Sequence, residues 1–221
     1  MTVRIISRNA ELFKNRKEAG WLLAKELGDL GGKETVALGI PRGGVIVAAE
    51  VSRLLSVELD VALSRKIGAP QNPEFAIGAL SEDGRVFIDE AAAFQVGADK
   101  SYIQEITTKQ LAEIAYRKEI YRKVRPKVYL KQRRVIVIDD GLATGATMQA
   151  ALLSIRQEGP KSITVAVPVA PQESLEKIVG YADDVLCLRV PEYFAAVGQF
   201  YLEFTEVNDK EVLEILRRGY G

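Results

Sequence analysis

Histidine is absent from the 221-residue chain, and cysteine occurs once, at Cys187. Without histidine the chain cannot form a Ser-His-Asp triad, a Cys-His pair or a histidine-ligated zinc site. A single cysteine cannot form a disulfide within the chain, and the apolar run at residues 184–190 predicts that this thiol is buried. The chemistry that these absences leave is based on carboxylates, hydroxyls, cations and backbone amides.

The chain also has no excess of charge, because 30 Lys and Arg residues are balanced by 30 Asp and Glu residues. A neutral balance argues against polymeric nucleic acid and anionic membranes as partners. No stretch reaches the roughly 18 consecutive apolar residues of a membrane span, and the first residues lack the apolar core of a signal peptide. We therefore expect a cytoplasmic protein, and the length suits a single domain over residues 1–221.

The most informative segment that is present covers residues 135–147, V-I-V-I-D-D-G-L-A-T-G-A-T. Four apolar, β-branched residues predict a buried strand, and Asp139, Asp140 and Gly141 are expected to end it. From about Thr147 the apolar residues recur at helical spacing, so the loop lies between the end of a strand and the start of a helix. Open parallel sheets bind phosphorylated ligands at such junctions.

The residue types in this loop suit a phosphorylated sugar. Backbone amides of a turn that contains glycine, the helix dipole, and the hydroxyls of Thr144 and Thr147 can bind a phosphomonoester. The carboxylates of Asp139 and Asp140 can accept hydrogen bonds from vicinal sugar hydroxyls or hold a hydrated Mg²⁺. A ribose 5-phosphate carries both groups. The alternative is a solvated acidic turn in which Thr147 caps the helix.

The glycine spacing does not fit the common nucleotide-binding loops. Three residues separate Gly141 from Gly145, and Ala146 follows, whereas a Walker A loop has four intervening residues and then a lysine. The segment resembles instead the PRPP-binding signature of type I phosphoribosyltransferases. This resemblance implies that Asp139 and Asp140 contact the ribose and Mg²⁺. It also implies a phosphate loop formed by Gly141, Ala143, Thr144, Gly145, Ala146 and Thr147.

Two further segments extend the resemblance to a diphosphate site. A strand predicted at residues 35–40 is followed by a glycine-rich turn in which an arginine fork could bind a diphosphate or lie on the surface. A strand predicted at residues 57–64 ends in two cations, which are also typical of a solvated edge. In the related enzymes both places bind pyrophosphate, and R-K-x-G-x-P is similar to the adenine-type enzymes. The implied contacts are Pro41, Arg42, Gly43, Gly44, Arg65 and Lys66.

The acceptor side is less defined by the sequence. Phe194 lies in an aromatic segment, residues 191–201, which could stack on a planar base or pack in the core. Ala143 stands where 6-oxopurine enzymes carry an aspartate that acts on the base, and adenine-type enzymes also carry alanine there. A general acid or base must then come from elsewhere. Glu74 is the candidate, with a merely solvated side chain as its alternative.

The alternation of strand and helix patterns predicts an α/β fold with an open, doubly wound parallel sheet and right-handed crossovers. The resemblance adds a small hood and a flexible loop, at about residues 68–84, that folds over the site. A charged helix at residues 102–124 could serve a dimer interface, and relatives of this kind suggest a homodimer. The expected division is a core of residues 33–68 and 133–190, an insertion of 69–132, and a hood of 1–32 and 191–221.

These features predict Mg²⁺-dependent transfer of the 5-phosphoribosyl group from PRPP to an acceptor nitrogen, on a nucleobase, with release of pyrophosphate. The predicted catalytic residues are Asp139, Asp140, Arg42, Lys66 and Glu74. Two alternatives stay open. One is a regulator of the same fold that binds PRPP or a nucleotide without turnover, and the other is a phosphate-ester binding module or hydrolase.

Overall fold

The structure is a computed structural model that describes residues 2–219. Its strands and helices alternate through most of the chain, as the sequence predicts. In chain order, the elements are β1 (Thr2–Ser7), α1 (Arg16–Glu26), β2 (Thr35–Gly39), α2 (Gly43–Leu55), β3 (Glu58–Val61), β4 (Ser64–Gly68), β5 (Ala76–Ser81), β6 (Val86–Ile88), α3 (Glu90–Gln95), α4 (Lys100–Arg122), β7 (Arg134–Ile138), α5 (Ala146–Arg156), β8 (Ser162–Val169), α6 (Gln172–Val179), β9 (Asp184–Arg189) and α7 (Asp209–Arg218).

The main sheet of the described residues is parallel and has six strands in the order β1-β9-β8-β7-β2-β3. The predicted doubly wound α/β fold is therefore confirmed. From the central pair β2 and β7, the chain winds outward in opposite directions, to β3 on one side and to β8 and β9 on the other. Ligands of such sheets bind beyond the carboxyl ends of the strands at this switch point. The two loops with the candidate motifs follow these two strands.

Side chains of β7 alternate between two apolar layers. Val135 and Val137 pack in the cluster that includes α5 and α6, whereas Ile136 and Ile138 pack in the cluster that includes α1 and α2. Both faces of the strand are buried, which explains why its sequence is an unbroken apolar run. The alternation continues past the strand end, so the adjacent acids that follow it point towards different surroundings.

A second sheet of the described residues, antiparallel and ordered β4-β5-β6, covers α5. β5 and β6 form a hairpin around S-E-D-G at residues 81–84, a sequence that predicts such a turn because it ends in Asp-Gly. Helices α3 and α4 pack on Ile67 and Ile77 of this sheet. Part of the predicted insertion, residues 69–132, forms a small layer beside α5 together with β4, which the prediction placed in the core segment 33–68.

Three boundaries differ from the prediction. The strand predicted at residues 57–64 is two strands of different sheets, β3 and β4, so Arg65 and Lys66 lie within a strand instead of at its end. Residues 2–7, expected in the hood, form β1 and pair with β9 in the main sheet. The apolar residues at positions 12, 19, 22, 23 and 27 predict an opening helix over residues 11–27. That helix begins only at Arg16, because the side chain of Asn15 caps it.

Residues near the start and end of the chain meet on the rim above the main sheet. The amide of Phe13 donates to the carbonyl of Phe200, and the amide of Leu202 donates to the carbonyl of Phe13. The rings of Phe13 and Tyr201 lie 5.3 Å apart between centroids. Cys187, as predicted, is buried, and burial raises the pKa of its thiol to about 12. Within residues 2–219 no helix is both long and apolar enough to span a bilayer.

Candidate functional site

The loops after β2 and β7 touch each other at the carboxyl edge of the sheet. A Cβ on Gly44 would lie 2.7 Å from the carbonyl oxygen of Ile138 and 2.8 Å from the Cα of Asp139. A Cβ on Gly43 would overlap the Oδ2 of Asp140. Both glycines are therefore required by close approach, and they bring the predicted diphosphate turn against the predicted ribose acids. The peptide bond between Pro41 and Arg42 is cis.

Asp140 is held by two groups of the rim, Arg16 and Tyr201. Its Oδ2 accepts a hydrogen bond of 2.7 Å from the Nε of Arg16, and its backbone carbonyl accepts one of 2.6 Å from the hydroxyl of Tyr201. Arg16 also donates from Nη1 to the carbonyl of Thr205, at 2.8 Å. The Arg16 and Asp140 side chains are 9% and 15% exposed, so this ion pair is largely withdrawn from water. Asp140 is thus an anchored carboxylate.

Asp139 has a different environment. Its Oδ1 accepts a hydrogen bond of 2.8 Å from the amide of Asp140, and none of the ion pairs within the described residues includes its carboxylate. Burial, and then the adjacent Asp140 carboxylate, raise its pKa well above the usual range. A carboxylate in this state favours a cation or hydrogen-bond donors as partners. The pair fits Mg²⁺, which takes one or two carboxylates and completes its shell with water and substrate oxygens.

No group of three or more Asp, Glu or Cys side chains in residues 2–219 is arranged to hold a metal ion. A metal at the acid pair would consequently depend on oxygen ligands from a substrate, in keeping with the coordination that Mg²⁺ prefers.

The loop after the acids has the geometry of an anion site. Gly145 adopts φ +80°, a left-handed conformation that favours glycine, and α5 begins at the next residue, Ala146. The hydroxyl of Ser174 on α6 donates to the carbonyl of Ala143 at 2.5 Å and so fixes the loop. Thr144 and Thr147 are exposed. The amide of Ala146 donates to the hydroxyl of Thr144 at 3.4 Å. The following amides of the first turn of α5 have no acceptor within the helix, and with the two hydroxyls they suit a phosphate dianion.

Glu74 connects the loop after β4 to the candidate phosphate loop. Its Oε1 lies 2.6 Å from the Nζ of Lys66, and its Oε2 accepts a hydrogen bond of 3.2 Å from the hydroxyl of Thr144. The hydrogen bond from Lys66 is the main cause of a lowered pKa of Glu74. The structure thus brings Lys66, Glu74 and Thr144 together, with Glu74 ionised near neutral pH.

The two adjacent cations of β4 point in different directions, as neighbouring residues of a strand do. Lys66 faces the phosphate loop through Glu74, whereas the guanidinium of Arg65 contacts Glu113 on α4. Among the contacts of the described residues, the ion pair of Arg65 is with Glu113, and none joins Arg65 to the loops after β2 and β7. The sequence pattern joined two side chains that the strand separates.

Arg42 lies beside residues 204–207, which belong to the part of the rim near the end of the chain. Its Nη2 is 3.2 Å from the Oε1 of Glu206, whose side chain is 85% exposed. A cavity of about 410 Å³ opens here, lined by Arg16, Arg42, Gly43 and the neighbouring residues 204–207. Arg42 and the glycine turn make it suitable for an anionic group, whereas the guanidinium of Arg16 is already bonded to Asp140 and to the carbonyl of Thr205.

A larger cavity of about 760 Å³ adjoins the other end of the phosphate loop. Ala143 and Thr144 form one side of it, and Phe194 lies on another. Phe194 also stacks on Phe200, with 5.2 Å between centroids, so both interpretations of this residue apply in part. The rest of the lining is mixed in polarity and includes Arg8, Pro171, Glu173, Lys177, Val190 and Glu192.

Sequence reasoning missed Arg16, Tyr201 and Glu206. One signal was available for Arg16, since a cation in the first turn of a helix opposes the helix dipole and needs a partner elsewhere. The contact of Tyr201 with Asp140 spans 61 residues of sequence, and no local pattern marks it.

Comparisons with known proteins identify the family of the chain. The phosphoribosyl transferase domain family matches residues 9–205. A protein of Mycobacterium tuberculosis (strain CDC 1551 / Oshkosh) named "Putative phosphoribosyl transferase MT0597" is 41% identical over 210 residues, which cover 95% of this chain and 47% of that protein. The chain thus spans about half the length of the curated relatives it matches over most of its sequence.

Two further similarities are a short sequence match and a match to a solved structure. A uracil phosphoribosyltransferase of Desulfitobacterium hafniense (strain DSM 10664 / DCB-2) is 38% identical over 56 residues, 25% of this chain and 27% of that protein. The crystal structure of the protein TT1426 from Thermus thermophilus is 49% identical, with a TM-score of 0.89 over 95% of this chain and 100% of that chain. With the family match over residues 9–205, these similarities show that the chain belongs to the type I phosphoribosyltransferase family.

Proposed function

We propose that the protein transfers the 5-phosphoribosyl group of PRPP to a ring nitrogen of a nucleobase, with Mg²⁺ and with release of pyrophosphate. The main observation in support of this proposal is the contact between the loops after β2 and β7 at the switch point of the sheet. There a glycine turn with Arg42 packs directly on Asp139 and Asp140, and the candidate phosphate loop follows within the same connection. Groups suited to a diphosphate, a ribose and a 5-phosphate therefore lie side by side in the order that PRPP requires.

Each group has a part in holding the donor. The amides at the start of α5 and the hydroxyls of Thr144 and Thr147 bind the 5-phosphate, and Asp139 and Asp140 accept hydrogen bonds from the ribose hydroxyls. Arg42, the amides of Gly43 and Gly44, and Lys66 bind the diphosphate. Asp139 and Asp140 would also hold Mg²⁺, which when bound neutralises charge on the leaving diphosphate.

The reaction exchanges one bond at the ribose C1. The bond from C1 to the diphosphate oxygen breaks and the diphosphate leaves with the electron pair, while a bond forms from C1 to the acceptor nitrogen. That nitrogen loses a proton. Catalysis consists mainly of positioning and of stabilising the charge of the diphosphate.

The acceptor is proposed to bind in the cavity beside Ala143 and Phe194, where a planar ring would have an apolar wall and polar edges. Ala143 offers no side chain that exchanges protons. Glu74 is hydrogen-bonded to Thr144 on the wall of this cavity, so its position assigns it the acceptor proton. The contact with Lys66 lowers its pKa and makes it a weak base, so Lys66 must leave Glu74 for the diphosphate before the proton is transferred. Closure of the loop that carries Glu74 would exclude water from the reacting C1.

Glu74→Gln tests this role. Because the charged Glu74 carboxylate competes for Lys66 and Thr144, its removal should strengthen PRPP binding by about two- to fivefold, the size of one exposed charge interaction. Turnover should fall by about 100-fold if Glu74 is the base. Calorimetric PRPP titration and steady-state kinetics measure the two effects. Glu105→Gln, which removes an exposed carboxylate paired with Lys109, is the control. Unchanged values in both variants would show that Glu74 is merely solvated.

An assay with Mg²⁺, PRPP and a panel of purine and pyrimidine bases, monitored by pyrophosphate release, tests the reaction itself. Release that depends on one base supports the transferase. Tight PRPP binding without turnover on any base would contradict it and favour the regulator. Release of phosphate without a base would favour a hydrolase.

A further inference from the structure

We propose that Arg16 is a positioning residue for ribose binding, because it fixes the carboxylate of Asp140 in the orientation that accepts a ribose hydroxyl. The inference rests on the proposed function. Arg16 belongs to α1, outside the loops after β2 and β7, and acts on the ligand through Asp140.

Three contacts hold the Arg16 guanidinium in place. Nε donates to Asp140 at 2.7 Å, Nη1 donates to the carbonyl of Thr205 at 2.8 Å, and the Arg16 Cζ lies 3.8 Å from the centroid of the Phe204 ring. The planar guanidinium thus donates to two acceptors, the Asp140 carboxylate and the Thr205 carbonyl, and it stacks on the ring of Phe204. With 9% of its side chain exposed, Arg16 has little freedom to turn.

The surroundings of Asp140 leave its carboxylate one way to point. Gly43 packs so closely that a Cβ there would overlap Oδ2 and would lie 2.9 Å from the Arg16 Nε. The hydroxyl of Tyr201 fixes the backbone of Asp140 from the other side. Arg16 therefore uses Oδ2, and Oδ1 is left to accept a hydrogen bond from the ligand. A carboxylate that is fixed before the ligand arrives loses less entropy on binding.

The same contacts connect donor binding to the rim. Arg16 bonds the carbonyl of Thr205 and stacks on Phe204, and the following Glu206 pairs with Arg42 of the diphosphate turn. Residues 204–206 therefore contact both a ribose-positioning arginine and a diphosphate-binding arginine. This arrangement explains why a charged side chain is buried at the start of α1.

The test compares Arg16→Met with Arg189→Met. Arg189 matches Arg16 in burial, at 11% exposed, and in stacking, since its Cζ lies 3.7 Å from the centroid of the Phe13 ring, but it pairs with Glu11 and not with Asp140. Calorimetry would measure binding of PRPP, ribose 5-phosphate and inorganic phosphate to each variant and to the wild type. Thermal melts would report the stability cost of each substitution.

For Arg16→Met we expect about 10- to 100-fold weaker binding of the two ribose ligands, as for loss of a group that orients a ligand-binding side chain. Binding of inorganic phosphate should change less than about twofold, and Arg16→Lys should recover part of the loss, because an ammonium makes one of the two bonds. Arg189→Met should lower the melting temperature, but it should not weaken binding of the two ribose ligands more than binding of inorganic phosphate.

Equal weakening of all three ligands by Arg16→Met, or ribose binding that is unchanged, would overturn the proposal. A crystal structure of Arg16→Met supplies a readout that needs no ligand, and a rotated Asp140 carboxylate is the expected result. An unrotated carboxylate would overturn the inference even if the wild type binds PRPP. A wild type that does not bind PRPP contradicts the proposed function separately.

Discussion

The double substitution Asp139→Asn with Asp140→Asn is expected to weaken PRPP binding by about 100-fold or more while the protein stays folded. Each hydrogen bond to a charged group contributes about 1.5–3 kcal/mol, and two of them are reduced at once. The same change removes both carboxylates that would hold Mg²⁺. Calorimetric titration of PRPP in the presence of Mg²⁺ measures the loss, and circular dichroism checks the fold.

The single variants should change stability in opposite directions. Asp139→Asn removes a buried carboxylate that lies beside another and has a raised pKa, so the free energy of unfolding should rise. Asp140→Asn leaves the buried Arg16 without its ionic partner, so the free energy of unfolding should fall by about 1–3 kcal/mol. Urea unfolding of both variants distinguishes these effects from the shared loss of PRPP binding.

The gain from Asp139→Asn should depend on pH. Because the folded protein keeps the Asp139 proton to a higher pH than the unfolded chain does, this group makes the wild type less stable as pH rises. The decrease begins near the ordinary carboxyl value of 3.8 and continues through the raised pKa. Asparagine does not titrate, so the advantage of the variant should be small at low pH and larger near neutral pH.

PRPP affinity that is unchanged in the double variant would show that the two acids are a turn and not a ribose site. Equal free energies of unfolding in urea for the two single variants would contradict the difference between Asp140, which pairs with Arg16, and Asp139, which is in none of the ion pairs of the described residues. The two parts of the prediction can therefore fail separately.

The parts of the site that the sequence predicted are those built from consecutive residues. Residues 135–147 contain a strand, a turn and a helix start, and each of these leaves a local pattern of apolar, acidic and small side chains. The alternation of such units also predicted the parallel sheet, because βαβ units allow few arrangements. In the structure β2 pairs with β7, and this pairing places the loops that follow the two strands side by side.

The parts of the site and of the fold that the sequence did not predict depend on contacts between residues that are distant in sequence. Arg65 and Lys66 were paired because they are neighbours in sequence, but the chain leaves the main sheet after β3, and the two side chains then point to different partners. β1 was missed as a strand because it lies at the sheet edge, where most of its side chains are exposed and no buried apolar run forms. The contact of Arg16 with Asp140 spans 124 residues, so no spacing rule could indicate it.

Gly44→Ala is expected to weaken PRPP binding by about 10- to 100-fold, the loss of about one hydrogen bond to a charged group, at about 1.5–3 kcal/mol. The added methyl group would meet the carbonyl of Ile138 and the Cα of Asp139, which are backbone atoms that cannot rotate away. The loops after β2 and β7 must then separate, and the proposed diphosphate turn moves away from the proposed ribose acids. Overpacking of this kind should also lower the free energy of unfolding, by about 1–3 kcal/mol.

Gly180→Ala is the matched control, since Gly180 ends α6 with φ −68° and an added Cβ there has no atom within 4 Å. Its stability should change little or increase by about 0.5 kcal/mol, and PRPP affinity should stay unchanged. A comparison of calorimetric and melting data for the two variants isolates the effect of the contact between the loops. If Gly44→Ala binds PRPP as tightly as the wild type does, PRPP binding does not depend on the contact between the two loops. The main observation in support of the proposed function would then be contradicted.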